Sequence, residues 1–320
     1  MTFSIGVIGA GAHGMRYVRH ALRDVPGMTV AALCRRDETE GRRLADESGC
    51  RYHGSPSALI ADPAVDGVVV CTPPSSHFFL ARQVLDAGKN LLLEKPMTGT
   101  LAQAEQLAQI DAGGSSPLMV AQALRWNPVI GQVAALMPRL GPIRHLRLAQ
   151  RLAPTNLAWQ RDPHQTVGGS VLLTGVHIFD LARFLTGEEF IAVESRQWQI
   201  LNPAVEDFFL ARATMTGGCQ VSLEVSKYTH SRACWLEVVG QEGQIHADYL
   251  DQGITFRTGK TEETYDVSAA VPTLPLLLAD WLACVREGSP PPVTVDDGLA
   301  TLRMVEACYR SHVTGREVAL

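Results

Sequence analysis

The chain of 320 residues predicts an α/β fold, a doubly wound parallel sheet followed by a second domain with a large, mainly antiparallel open sheet. Three observations carry this. Short Val- and Leu-rich runs alternate with segments of helical spacing over residues 1–124. Apolar runs without polar alternation are strands buried on both faces, as in parallel sheets covered by helices. The first run ends in Gly9-Ala10-Gly11-Ala12-His13-Gly14, a strand-to-helix turn. Over residues 190–257 the pattern changes to strand-length segments punctuated by glycine pairs and turn residues, the signature of a meander.

The elements follow in order. Residues 3–8 are β-branched and apolar, and over 15–25 the apolar residues recur at helical spacing. A strand at 29–34 precedes a polar helix at 37–48. Then come strand 65–71, helix 76–87, strand 90–93, helix 101–111 and strand 118–123. Two helices, 274–287 and 297–313, close the chain on either side of a Ser-Pro breaker at 289–292. The expected division is a first domain over 1–124 and a second over 125–320.

Composition narrows the partners. Hydrophobic residues make up 46%, charged residues 19%, and the net charge is -5, which argues against a nucleic-acid footprint and points to small molecules. No unbroken apolar run reaches the roughly 18 residues of a membrane span. The start has no basic leader, so a cytoplasmic, membrane-free protein is expected. The 7 cysteines are odd in number and lack paired spacing, which fits neither a disulfide framework nor a metal site. Reduced, mostly buried thiols are expected; Cys34, beside Arg35 and Arg36, is the candidate for a reactive one.

A backbone that approaches two phosphates needs residues without side chains, then a helix N-terminus whose free N–H groups face the anion. Gly9, Gly11 and Gly14, with Ala12 and His13 between them, supply that, so the turn is expected to bind NAD or NADP. At the end of the second strand, an acidic residue would accept the ribose hydroxyls of NAD. Arg35 and Arg36 stand there instead, and guanidinium groups suit the 2′-phosphate of NADP. NADP is the expected cofactor; NAD stays open, because Asp37 could turn inward to a ribose.

Three further strings complete the pattern: Thr72-Pro73-Pro74 with His77, then Glu94-Lys95-Pro96, then Gly168-Gly169 running to Gly175, His177 and Asp180. With the glycine turn they resemble the glucose-fructose oxidoreductase and inositol dehydrogenase (Gfo/Idh/MocA) family over nearly the whole chain. The resemblance implies an N-terminal Rossmann domain and a C-terminal α/β domain whose open sheet makes homodimer or homotetramer contacts. It also implies hydride transfer between nicotinamide and a sugar, cyclitol or related polyol. Thr72, Pro73, Pro74, His77, Glu94 and Lys95 would border the cofactor. Lys95 would bond the reacting oxygen, and His177 would relay its proton.

One position departs from the family. An aspartate usually stands four residues before the histidine, one helical turn away; this chain has Leu173. Asp162, His164 or Thr174 could supply the missing contact, or the substrate presents an apolar edge, or catalysis has been lost. Trp126, Trp159 and Arg161 are candidates for lining the substrate cleft, with plain packing the alternative for the aromatics. Asp180 is expected to be structural, paired with a base such as Arg183. Two other readings stay open: a non-catalytic dinucleotide sensor of the same fold, and a hydrolase using tightly held NAD.

Overall fold

The computed structural model describes residues 2–113, 117–155 and 157–320. It divides into two compact units, the first comprising Met1–Ala123 with Thr273–Leu299 and the second Leu124–Pro272 with Ala300–Leu320.

In the first unit six parallel strands, β1 (Phe3–Ile8), β2 (Met28–Cys34), β3 (Arg51–His53), β4 (Gly67–Val70), β5 (Asn90–Glu94) and β6 (Leu118–Ala121), form one sheet. Their order is β3-β2-β1-β4-β5-β6. The order reverses between β1 and β4, which opens a crevice at their carboxyl ends. Helices α1 (Gly14–Arg23), α2 (Glu38–Ser48), α3 (Pro56–Ile60), α4 (His77–Asp86) and α5 (Leu101–Ala112) connect the strands. The central strands are apolar throughout because both faces are covered: all four residues of β4 are buried. The short β3 lacks a strand-length apolar run, which is why no strand is expected there.

The expected boundary at residue 124 is only half of the division, because α9 (Thr273–Glu287) returns to the first unit. Trp281 is fully buried and packs edge-on against Phe3 at 5.4 Å between ring centroids. The Arg286 guanidinium donates to the Gly27 carbonyl at 3.2 Å. The apolar start of β1 thus needs a wall that the first 124 residues do not supply.

The second unit is built on nine strands: β7 (Ile143–Arg151), β8 (Phe190–Trp198), β9 (Phe208–Met215), β10 (Gln220–Ser226), β11 (Ala233–Gly240), β12 (Gln244–Asp248), β13 (Gly253–Thr258), β14 (Thr261–Asp266) and β15 (Val318–Ala319). Their order is β14-β13-β12-β11-β7-β10-β9-β8-β15. All pairings are antiparallel except that of β7 with β10. One face buries alternate residues such as Leu146, Val193, Phe209 and Val238. The other carries ion pairs, Arg151 with Glu224 and Arg212 with Glu194, around Trp198 stacked on Phe208. Helices α6 (Pro128–Leu136), α7 (Pro163–Thr166), α8 (Val176–Thr186) and the last part of α10 (Val295–Thr314) complete the unit. The helical stretch Pro163–Thr186 has the length and hydropathy of a membrane span, yet 78% of its apolar window is buried inside the fold, so its apolarity is that of a core segment.

Candidate active site

The glycine turn leaves β1 at the reversal of strand order, and the N–H groups of Gly9 and Ala10 bond the Cys34 carbonyl at the end of β2. Two of its glycines are demanded by the protein itself. Gly9 has φ +95°, and a Cβ there would lie 2.4 Å from the Cys71 carbonyl oxygen. A Cβ on Gly14 would lie 2.2 Å from the Gly9 carbonyl oxygen, where the helix crosses the strand end. Gly11 differs: a Cβ would meet nothing within 4 Å. No packing among the described residues requires a glycine there, and its bare backbone is open to close approach. The following helix α1 has no side chain capping its N-terminus and no acidic residue in its first turn. Its positive dipole end suits a pyrophosphate.

Arg35 and Arg36 follow β2 beside this turn. The Arg35 guanidinium donates to the Ala10 carbonyl at 2.8 Å, which draws it toward the glycines, while Arg36 is exposed. Asp37 does not turn inward. Its carboxylate caps α2 by accepting from the Glu40 N–H at 3.1 Å. Burial pushes the Cys34 thiol up, which disfavours the thiolate and the reactive role.

At the carboxyl end of β5, Glu94 is the centre of a network. It accepts from the Tyr17 hydroxyl at 2.6 Å and the Lys95 backbone N–H at 3.0 Å, and lies 2.7 Å from His13 Nε2. Burial opposes ionisation of this carboxylate. The bonds from His13 and Tyr17, with the Lys95 charge beside it, outweigh burial and hold it down to about 2. Burial pushes the Lys95 ammonium below its ordinary value, against the pull of Glu94. The Cys71 sulfur joins His13 and Glu94 within 4.8 Å, but burial pushes that thiol up, which disfavours the thiolate that a metal would need.

His77 is 1% exposed and lies wholly inside the protein. Its Nδ1 and Nε2 sit 2.7 Å from the carbonyl oxygens of Pro96 and Thr72, so the ring ties the segment after β5 to the segment after β4. Burial lowers its pKa, against the two carbonyls, which favour the charged ring. Thr72 accepts at Oγ1 from the Ser76 hydroxyl at 2.7 Å, and Pro73 accepts from the same hydroxyl at 2.9 Å, which fixes the Thr72-Pro73-Pro74 turn.

In the second unit the chain winds through a wide π turn, Val171–Gly175, into α8, of which His177 is the second residue. Asp180 pairs with Arg125, whose guanidinium donates at 2.8 and 2.6 Å to a carboxylate 1% exposed. Arg183 bonds Glu189. The Arg125 pair fastens α8 to the turn Ala123–Trp126, where Trp126 is half-buried.

A cleft of about 480 Å³ lies before α8. Of the residues expected at substrate, Arg161 and Leu173 line it, while Thr174 is buried and neither Trp126 nor Trp159 is among its walls. Asp162 is spent on capping α7, accepting from the His164 N–H at 3.0 Å and the Gln165 amide at 2.6 Å, and His164 is exposed. The cleft also takes in Ser170, Asn202, Glu206, Asp207 and Lys227, which sequence reasoning missed. One signal for them was present. Gly169 is a glycine because a Cβ would lie 1.9 Å from the Glu206 carbonyl oxygen, so the Gly168-Gly169 pair marks the crossing of two loops.

A parallel sheet reversing at a glycine turn, with a lysine at the neighbouring strand end, defines a dinucleotide-binding oxidoreductase. Residues 3–122 match the NAD-binding Rossmann fold of the oxidoreductase family, and residues 138–320 match that family's C-terminal α/β domain. The chain belongs to this Gfo/Idh/MocA oxidoreductase family. It is 29% identical to D-apiose dehydrogenase of Paraburkholderia graminis, over 99% of this chain and 90% of that protein. It is 25% identical to scyllo-inositol 2-dehydrogenase (NAD(+)) of Bacillus subtilis, over 98% and 95%. The crystal structure of an oxidoreductase domain protein from Kribbella flavida superposes with a TM-score of 0.91 at 25% identity, covering 100% of this chain and 99% of the other.

Proposed function

We propose that the protein is a dehydrogenase or reductase that prefers NADP and acts on a CH–OH or C=O group of a sugar, cyclitol or polyol. The observation that carries this reading is Gly11, a glycine facing open space at the uncapped start of α1, in a unit whose β5 ends in a lysine anchored beside a buried carboxylate. Gly9, Gly11, Ala12, His13 and Gly14 would hold the pyrophosphate, Arg35 and Arg36 the 2′-phosphate, and the segments joined by His77 would border the rest of the cofactor. When bound, the nicotinamide supplies the hydride acceptor or donor.

Lys95 donates a hydrogen bond to the reacting oxygen and stabilises the negative charge that grows on it. Its depressed pKa lessens the cost of sharing that proton. His177 takes the hydroxyl proton in oxidation and returns it in reduction, as imidazole does near neutral pH. Glu94 positions Lys95 and His13 rather than touching substrate. The names of the relatives, apiose and scyllo-inositol dehydrogenases, support a polyol substrate. We also assign the ion-paired outer face of the nine-stranded sheet to self-association. The test is NADP and NAD turnover with myo-inositol, D-apiose and a wider sugar panel, in the parent, Lys95→Ala and His177→Ala. Full activity in both variants overturns the roles, and NADP binding without hydride transfer to any compound favours a sensor.

A further inference from the structure

Three features of the cleft in the second unit point to one chemistry. Ser170 is 1% exposed, lines the cleft, and its hydroxyl has no hydrogen-bond partner among the described residues. A buried hydroxyl without a partner is unfavourable unless a ligand completes it. Beside it, Glu206 uses a single oxygen for three donors: the N–H groups of Gly169 at 3.1 Å and Val171 at 3.0 Å, and the Tyr309 hydroxyl at 2.9 Å. These three donors leave Oε2 the less committed oxygen, and burial pushes the carboxyl above its ordinary value. Leu173, 6% exposed, closes the same wall with an apolar surface.

The formal charges of the cleft balance. Two cations, Arg161 and Lys227, and two carboxylates, Glu206 and Asp207, line it. Asp207 is itself consumed by the N–H groups of Ile200, Leu201 and Asn202 at 2.7, 2.6 and 2.9 Å. A balanced cleft with one less committed carboxylate oxygen and one open hydroxyl receives a neutral ligand rich in O–H donors, not an anion.

We propose that Ser170 and Glu206 Oε2 form a hydroxyl-binding subsite that takes adjacent hydroxyls of a neutral polyol and turns its least polar edge toward Leu173. The subsite rests on the dehydrogenase reading for its place in the reaction, but not for its binding. Ser170 and Glu206 contact the substrate away from the reacting carbon and set its register.

The experiment uses the full chain loaded with NADP or NADPH, with myo-inositol, D-glucose and D-xylose as neutral probes and D-gluconate and D-glucuronate as acidic ones. Steady-state turnover and calorimetric binding are measured in the parent, Ser170→Ala and Glu206→Gln, the last chosen because the amide keeps an acceptor for Gly169 and Val171. The expected result is a KM for the neutral probe raised about tenfold in Ser170→Ala and roughly 10- to 100-fold in Glu206→Gln. The kcat should stay within about threefold, and NADP affinity should not move. KM values unchanged in both variants, or a parent that prefers the acids, overturn the subsite and leave the dehydrogenase reading standing. Polyol binding that weakens in both variants without any turnover sustains the subsite and overturns the dehydrogenase reading. Neither binding nor turnover of any polyol overturns both.

Discussion

The glycine turn of the first unit and the cleft of the second are built in opposite ways. The turn works through backbone: Gly11 exposes its main chain, α1 presents an N-terminus with no side-chain cap, and even Arg35 is placed by the Ala10 carbonyl. The cleft works through side chains delivered by separate loops, Ser170 and Leu173 from one and Asn202, Glu206 and Asp207 from another. A backbone site tolerates little change in residue type, because the shape of the chain is the binding group. A side-chain site can exchange one residue type for another, which leaves room for an apolar wall such as Leu173.

That contrast can be broken most severely at the edge of β5. Lys95→Ala should lower kcat/KM by roughly 10²- to 10³-fold with NADP affinity little changed, read by steady-state kinetics and cofactor titration. Loss of cofactor affinity alone would make Lys95 part of the backbone-type site instead. Next in size is the Glu94 carboxylate. Its folded pKa of about 2 lies below the ordinary 4.5, so its stabilisation is complete above pH 4.5 and is lost as pH falls toward 2. Denaturant unfolding over that window should show about 3 kcal/mol of acid-dependent stability that Glu94→Gln lacks. Arg35→Ala should weaken NADP roughly 10- to 100-fold while sparing NAD, and equal losses for both cofactors would count against a phosphate grip. The mildest effect sharpens the turn itself. Gly11→Ala should leave the melting temperature in place and weaken either cofactor about tenfold, whereas Gly9→Ala should destabilise the fold, because only Gly9 has backbone in the way.

Most of the first unit was legible in the sequence, because strands buried on both faces are continuous apolar runs and the glycine spacing records a backbone shape. Even β1 and α1 begin within a residue of where their patterns place them. The three-residue β3 and the nine-residue β7 were not legible. The first is too short to show a period, and the second interleaves Arg144, His145 and Arg147 with its apolar residues because its outer face carries ion pairs. Arg125, which bonds Asp180, lies 55 residues away from it, a separation that no local spacing encodes. Ser170 and Glu206 stayed hidden for the same reason. Their meeting depends on Gly169 admitting a second loop, and the sequence displays the glycine without its neighbour.

The return of α9 makes the order of synthesis matter. Phe3 is made well before Trp281, which closes over it; the Cβ that Gly67 lacks would fall 2.6 Å from Phe3 and 3.1 Å from Trp281. The nucleotide-binding half therefore cannot finish its interior until the ribosome has spelled out nearly the whole of the other half. A graft that cuts the chain at residue 124 would carry away a sheet with one wall missing, so this module can be exchanged between relatives only together with its distant closing helix.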